Sequence, residues 1–343
     1  MKLNERQAKI INILERNDSL SPSDIHMLIG EELYSRPTIN RDLVKLQDNN
    51  IIKQLGSGRT TKYSLNRSRL LKKFDVLEYF KLDFREDIIK YFNKDIFDEI
   101  NDLFTLEELN LISELNQIYK NKIFGQTTTG IKKELERLTI EFSWKSSSIE
   151  GNTYTLLDTE RLIKEKVKSP GHTDEEAIMI INHKDALSYI LEDPKNYQNI
   201  NLYKLEELHH IIAKELSIKT GIRKTMVGIT GTNYRPLDNE LEIKEALEKL
   251  FIYLNKEGNP VEKALVAVAM ISYIQPFEDG NKRVARMLGN AILLANNLIP
   301  VSFVGVDNLE YKKAIILFYE QNSIDYLKEL FIEQYTLSTN KYF

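Results

Sequence analysis

Residues 275–286 read Gln-Pro-Phe-Glu-Asp-Gly-Asn-Lys-Arg-Val-Ala-Arg and gather more chemistry than any other stretch of the chain. Adjacent acids, a Gly-Asn turn signal and two arginines fall within a few positions, between apolar segments at 265–274 and 284–295. Gly280-Asn281 breaks the helical pattern there, so Arg283 and the backbone N–H groups arrive at the start of a helix. Helix N-termini carry free N–H groups and partial positive charge, which makes this an anion site. Asp279 is a hard oxygen ligand suited to Mg²⁺ carried on phosphates. Arg286 follows Arg283 by three residues and shares its helical face. Together these residue types predict a site for a polyphosphate with its metal.

The stretch resembles the signature loop of the Fic family, His-x-Phe-x-[Asp/Glu]-Gly-Asn-x-Arg-x-x-Arg, from Phe277 to Arg286. The first position departs from it, with Gln275 where the family has its general-base histidine. The resemblance implies transfer of AMP from ATP to hydroxyl side chains of target proteins, with ATP and Mg²⁺ as cofactors. Asp279 would hold the metal, Gly280, Asn281 and Arg283 the α- and β-phosphates, and Arg286 the γ-phosphate. Lys282 stands where AMP-transferring members most often have glycine, and would add charge near the phosphates or tilt the nucleotide. A carboxamide has negligible basicity near neutral pH, whereas general base catalysis needs a pKa near the operating pH. The sequence thus offers a phosphate cradle without its usual base.

Two further segments resemble Fic elements. Ser146 and Glu150-Gly151 fit the inhibitory motif [Ser/Thr]-x-x-x-Glu-[Gly/Asn], at the end of a helix expected over about 131–150. The resemblance implies that Glu150 pairs with Arg286 and blocks the γ-phosphate position; an arginine held by a carboxylate is not free to clamp a phosphate. Residues 222–235 alternate Val227 and Ile229 between polar positions, with glycines at 228 and 231. They resemble the Fic flap, a small β-hairpin, with Thr230, Gly231 and Tyr234 beside the nucleotide and Tyr234 able to stack on a base.

The elements that must position these residues are nearly all helical. Helices over 260–274 and 284–295 are apolar on almost every face, as helices at the centre of a bundle are. His209-His210 reads as a surface or half-buried pair, and His172 and His183 as lone structural histidines. Upstream, residues 67–129 predict a charged helical connector that could also serve as a layer for a homo-oligomer.

The N-terminal end has its own organisation. Helical spacing runs from Leu3 to Leu14, and helix starts are written at Ser21-Pro22 and Ser35-Arg36-Pro37. Strand-like runs at 51–55 and 60–65 flank a Gly-rich turn. Three helices and a hairpin over 1–66 resemble a winged helix-turn-helix. Its third helix would present Arg36, Thr38, Asn40, Arg41 and Lys45 to duplex DNA, with Arg59 reaching from the wing. The same module suits a protein contact.

Composition sets bounds. Of 343 residues 42% are hydrophobic, enough for a core, and no cysteine is present, which excludes disulfides and thiolate metal sites. No leader or spanning segment is written, so a cytoplasmic protein with no membrane contact is expected. Residues 1–69 hold 12 Lys/Arg against 8 Asp/Glu, a balance of +4, while the rest hold 35 against 43, a balance of −8. A basic end on an acidic chain points to an anionic partner for that end. The fold class expected is mostly α: a winged helix-turn-helix over 1–66, a connector over 67–129 and a Fic-type bundle over 130–343. Two functions follow, an ATP-binding Fic protein of adenylyltransferase type restrained by Glu150, or a nucleotide-responsive DNA-binding regulator without transferase activity.

Overall fold

The structure is a computed structural model and describes residues 4–17, 19–30, 32–49, 51–65, 69–82 and 85–343. Leu3 and residue 66, counted in the expectations above, lie outside them. The chain divides into two compact units, 1–72 and 73–343.

The first unit contains α1 (Glu5–Glu15), α2 (Pro22–Ile29), α3 (Arg36–Asp48), β1 (Ile52–Leu55) and β2 (Lys62–Leu65). Asn4 and Gln7 close a capping box on α1, and Ser21 and Asp24 do the same on α2, each satisfying otherwise orphaned N–H groups. The strands pair antiparallel with Ile52 opposite Leu65 and Leu55 opposite Lys62. Ile10, Ile25, Ile39, Leu43 and Ile52 meet in one apolar core. On α3 that leaves Arg36, Asn40, Arg41 and Lys45 exposed, while Thr38 is half-buried and bonded to Ser35 at 2.9 Å. Arg59 is exposed in the short 3-10 turn between the strands.

The second unit begins with two one-turn helices, α4 (Val76–Tyr79) and α5 (Ile96–Glu99). Ten longer ones follow: α6 (Leu106–Phe124), α7 (Thr128–Ile149), α8 (Leu156–Glu165), α9 (Asp174–Glu192), α10 (Leu202–Ala213), α11 (Glu240–Asn255), α12 (Pro260–Ile274), α13 (Asn281–Ala295), α14 (Asn308–Gln321) and α15 (Asp325–Lys341). The pair α12 and α13 forms the centre, and from Ala264 to Ile274 every α12 residue is buried. Their close approach requires Gly289, because a Cβ there would lie 2.9 Å from Val268 Cγ2 and 3.2 Å from the Ala264 carbonyl. Among the described residues no helix is long and apolar enough to cross a membrane.

The expected connector is corrected. Residues 73–129 belong to the helical body, and much of 80–105 is irregular rather than helical. Specific polar contacts hold the segment in place. The Ile89 N–H donates to the Glu320 carbonyl at 2.8 Å, Arg85 pairs with the Glu320 carboxylate at 2.6 Å, and Lys328 pairs with Glu108 at 2.9 Å. Phe92 stacks on Tyr273 at 4.8 Å. Periodicity read along the segment does not reveal such long-range partners.

Candidate functional site

The loop between α12 and α13 is built by its own side chains. Helix α12 stops where Gln275 turns left-handed, at φ 52°, and Pro276 follows. Asn281 then closes the loop on itself. Its Oδ1 accepts from Phe277 N–H at 2.8 Å, and its Nδ2 donates to the Phe277 carbonyl at 2.8 Å and to Gln275 Oε1 at 2.9 Å. Gly280 caps α13 at φ 83°, in the region that favours glycine. Helix geometry leaves the first N–H groups of α13 without intrahelical partners. Beneath the loop, the His209 ring stacks on Phe277 at 3.7 Å and is hydrogen-bonded through Nε2 to the Asp279 carbonyl at 3.1 Å.

His209 corrects the sequence reading, which placed it at the surface or half-buried. It is fully buried, as are Leu205, Leu208 and Ile212, while His210 is exposed. That i, i+3, i+4, i+7 spacing was available in the sequence and puts His209 on the apolar stripe of α10. Burial lowers its imidazole pKa to about 4.

The two arginines differ. Arg283 is 3% exposed, pairs with Asp279 Oδ2 at 3.1 Å, and keeps Nη1 buried without a partner. Arg286 is fully buried. It donates from Nε to Ser146 Oγ and from Nη2 to the Ser146 carbonyl, both at 2.9 Å, and its Nη1 is also buried without a partner. Buried guanidinium N–H groups are costly to leave unpaired.

Glu150, the residue that ends α7, reaches Arg286 and Lys282 of α13. Its Oε1 lies 2.9 Å from Arg286 Nη2, and its Oε2 lies 3.3 Å from Lys282 Nζ. Burial by itself would raise the carboxyl pKa, but the cations of Arg286, Lys282 and Arg283 outweigh it and hold the group at about 2. His183 supports the arrangement from behind. One of its nitrogens, Nδ1, faces the Met179 carbonyl at 2.8 Å, and a carbonyl can only accept, so Nδ1 carries the proton. Nε2 is then the acceptor for the Ser146 hydroxyl at 2.9 Å, and that hydroxyl oxygen accepts from Arg286. Burial, with Arg283 and Arg286 nearby, lowers the His183 pKa to about 3.

These groups border a cavity of about 350 Å³ lined by Glu150, Gln275 and residues 278–283, by Val227–Thr230, and by Lys312, Ile315, Ile316 and Tyr319 of α14. Arg286 sits behind Glu150 and does not line it. The Gln275 carboxamide is fully engaged, donating to the Ser272 carbonyl at 2.6 Å and to Tyr319 Oη at 3.2 Å while accepting from Asn281. Asp279 holds its carboxylate at the mouth, 70% exposed.

The flap segment differs from expectation in two respects. Residues 222–235 form no ladder, and their single bridge joins Arg235 to Tyr91. The two-stranded sheet among the described residues is β1–β2. What holds the segment is Arg223, fully buried. Its guanidinium donates to the carbonyls of Gln275 at 2.6 Å, Thr225 at 2.7 Å and Leu237, tying both ends of the segment to the signature loop. Thr230 lines the cavity and Gly231 lies just outside, its carbonyl accepting from Arg85 at 2.9 Å. Tyr234 is corrected: it is a core residue, stacked on Tyr273 at 4.7 Å and Tyr319 at 5.2 Å and donating to the Tyr273 carbonyl. With its ring covered, it cannot stack on a base.

Comparison with known proteins agrees with this geometry. The Fic/DOC family model matches residues 199–293. A protein adenylyltransferase fic-1 of Caenorhabditis elegans is 26% identical over 54% of this chain and 38% of its own length. A protein adenylyltransferase Fic of Culex quinquefasciatus is 29% identical over 50% of this chain and 35% of its own. The chain thus spans less than half the length of these curated relatives. In fold, a solved structure of Fic-1 from C. elegans aligns with a TM-score of 0.58 at 19% identity, over 69% of this chain and 72% of that one. A Fic domain containing signaling protein from Bacteroides thetaiotaomicron aligns at 0.56 and 22%, over 67% and 96%. The family match runs through α10 to α13, taking in the flap segment and the signature loop between them, and the solved Fic structures share the fold over about two thirds of the chain.

Proposed function

We propose that the helical body is a nucleotide-binding Fic domain of adenylyltransferase type, held off by Glu150 and lacking the group that takes the proton from the target hydroxyl. The observation that carries this reading is the Glu150 carboxylate set between Arg286 and Lys282, over guanidinium N–H groups that have no partner. A nucleotide phosphate supplies what those donors lack. Asp279 fits a phosphate-borne Mg²⁺. Its carboxylate is exposed at the cavity mouth beside Glu278, and Mg²⁺ is usually held by one or two carboxylates with phosphates and water completing its shell. When bound, the ion would offset negative charge on the phosphates.

In adenylyl transfer a target hydroxyl oxygen bonds to the α-phosphorus of ATP, the bond to the β-phosphate oxygen breaks, and pyrophosphate leaves. The hydroxyl proton must go to a base. Gln275 offers an amide oxygen already accepting from Asn281 and an amide nitrogen already donating, so it takes no proton. Arg283 and the α13 N-terminus remain able to bind and orient phosphates, as preorganised donors do. The similarity to proteins known as protein adenylyltransferases supports that class.

Calorimetry with Mg²⁺ and either ATP or ADP tests the restraint. Glu150→Gly frees Arg286, so ATP binding should tighten about tenfold, the scale of one charge-assisted contact, and ADP binding by less. Equal effects on both nucleotides would reduce Glu150 to a local pairing residue.

A second reading concerns the first unit, whose elements suit a winged helix-turn-helix that binds duplex DNA. Arg36, Arg41, Lys45 and Arg59 are exposed and form no ion pair among the described residues, while Ile39, Leu43 and Leu46 hold the opposite face of α3 in the core. On randomised duplexes, four phosphate contacts predict a log–log salt slope of about −3 to −4. Absence of binding at low salt would leave a protein-contact module.

A further inference from the structure

The Glu150 lock has two cations in it, and they are not equivalent. Lys282 and Arg286 stand four residues apart on α13, which places them on one helical face, so that one carboxylate can reach both. Arg286 is fully buried and would keep both of its Ser146 hydrogen bonds if the carboxylate left. Lys282 is different. Its side chain is 30% exposed, and Glu150 is its only ion-pair partner among the described residues. Its ammonium sits on a flexible stem with rotatable donors, whereas the guanidinium is a fixed fork. Departure of the carboxylate therefore leaves Arg286 in place and sets Lys282 free beside it.

We propose that Lys282 is a second clamp on the inhibitory glutamate and, once that carboxylate is displaced, a specificity residue for ligands whose terminal phosphate reaches Arg286. This rests on the reading of the cavity as a nucleotide-phosphate site restrained by Glu150. The carboxylate brings one negative charge to two cations. A terminal phosphate brings up to two charges and three acceptor oxygens, so it can satisfy Lys282 and Arg286 together. One residue thus opposes nucleotide entry while Glu150 is in place and favours nucleotide retention once Glu150 is gone.

The consequence is a reversal of sign between two backgrounds, which a purely structural lysine would not produce. The probe is ATP with Mg²⁺, with ADP as the shorter ligand, titrated calorimetrically. Lys282→Met keeps the apolar stem and removes the charge. In the otherwise unchanged chain it should tighten ATP binding about threefold, the scale of a partly exposed ion pair. In the Glu150→Gly background the same substitution should weaken ATP binding about tenfold, the scale of a lost charge-assisted contact, and ADP binding less than about twofold. Lys282→Arg should keep the sign of the native residue in both backgrounds. Unchanged melting temperatures without nucleotide would confirm that the effects lie in the site.

A change of the same sign in both backgrounds, or equal losses for ATP and ADP in the Glu150→Gly background, overturns the role of Lys282 while leaving the restrained nucleotide site standing. Failure of Glu150→Gly to bind or gain affinity for ATP removes the site reading itself, and the Lys282 role with it.

Discussion

Gln275→His should transfer AMP at least about 10²-fold faster than the native chain, the usual contribution of a positioned general base. The gain should be larger when Glu150→Gly is added, because the γ-phosphate position is then open. The position is prepared for the exchange. Residue 275 closes α12 in the left-handed region, where histidine is among the better tolerated side chains. Its backbone carbonyl is gripped by Arg223, so the chain direction does not depend on the side chain. The Ser272 carbonyl, which now accepts from the carboxamide nitrogen, can accept an imidazole N–H instead and leave the other ring nitrogen free as the base. Intact mass spectrometry after incubation with ATP and Mg²⁺, on the native chain, each single variant and the double variant, reads the result on the protein itself and in cell lysate. Rapid transfer by the native chain would mean that another group supplies the base. A silent double variant would leave a nucleotide-binding domain without this chemistry.

The signature loop was legible because its chemistry is local. A Gly-Asn turn, an acid and two arginines within a few residues dictate a helix N-terminus with cations beside it, and the loop is built that way. Helix starts at Ser21 and Ser35 were equally local and are found there. Glu150 was reached only through a family resemblance, since its partner Arg286 lies far along the chain. What sequence reading missed depends on tertiary neighbours. Tyr234 is covered by two other tyrosines, and the flap segment is held by one buried arginine rather than a ladder. Residues 73–129 are bound to the body by ion pairs and a ring stack that no periodicity announces. Lys282 read as a charge near phosphates, and only the position of Glu150 gives it a partner.

His183 and His209 carry a second large effect, on stability against acid. Both are fully buried; burial lowers the pKa of His183 to about 3 and of His209 to about 4, from an ordinary 6.5. The folded state therefore takes up these protons later than the unfolded state. As pH falls through 6.5 the unfolded chain gains protons that the folded chain refuses, so stability is lost until the folded pKa values are reached. At pH 5 each histidine should have removed about 2 kcal/mol relative to pH 8, roughly 4 kcal/mol together. That is a large part of the 5–15 kcal/mol typical of a folded domain. Glu150 does not contribute in this window, because a carboxyl held at about 2 stays ionised and paired throughout. Urea denaturation between pH 8 and pH 5 should show the loss, and His209→Asn or His183→Asn should each flatten the profile by about one proton. Should either variant fold poorly, imidazole resonances of the native chain give the same answer, since neither ring should titrate between pH 8 and pH 5. A stability profile flat over that range, or a ring titrating near 6.5, would show that these histidines do not stand neutral under the loop and behind Ser146.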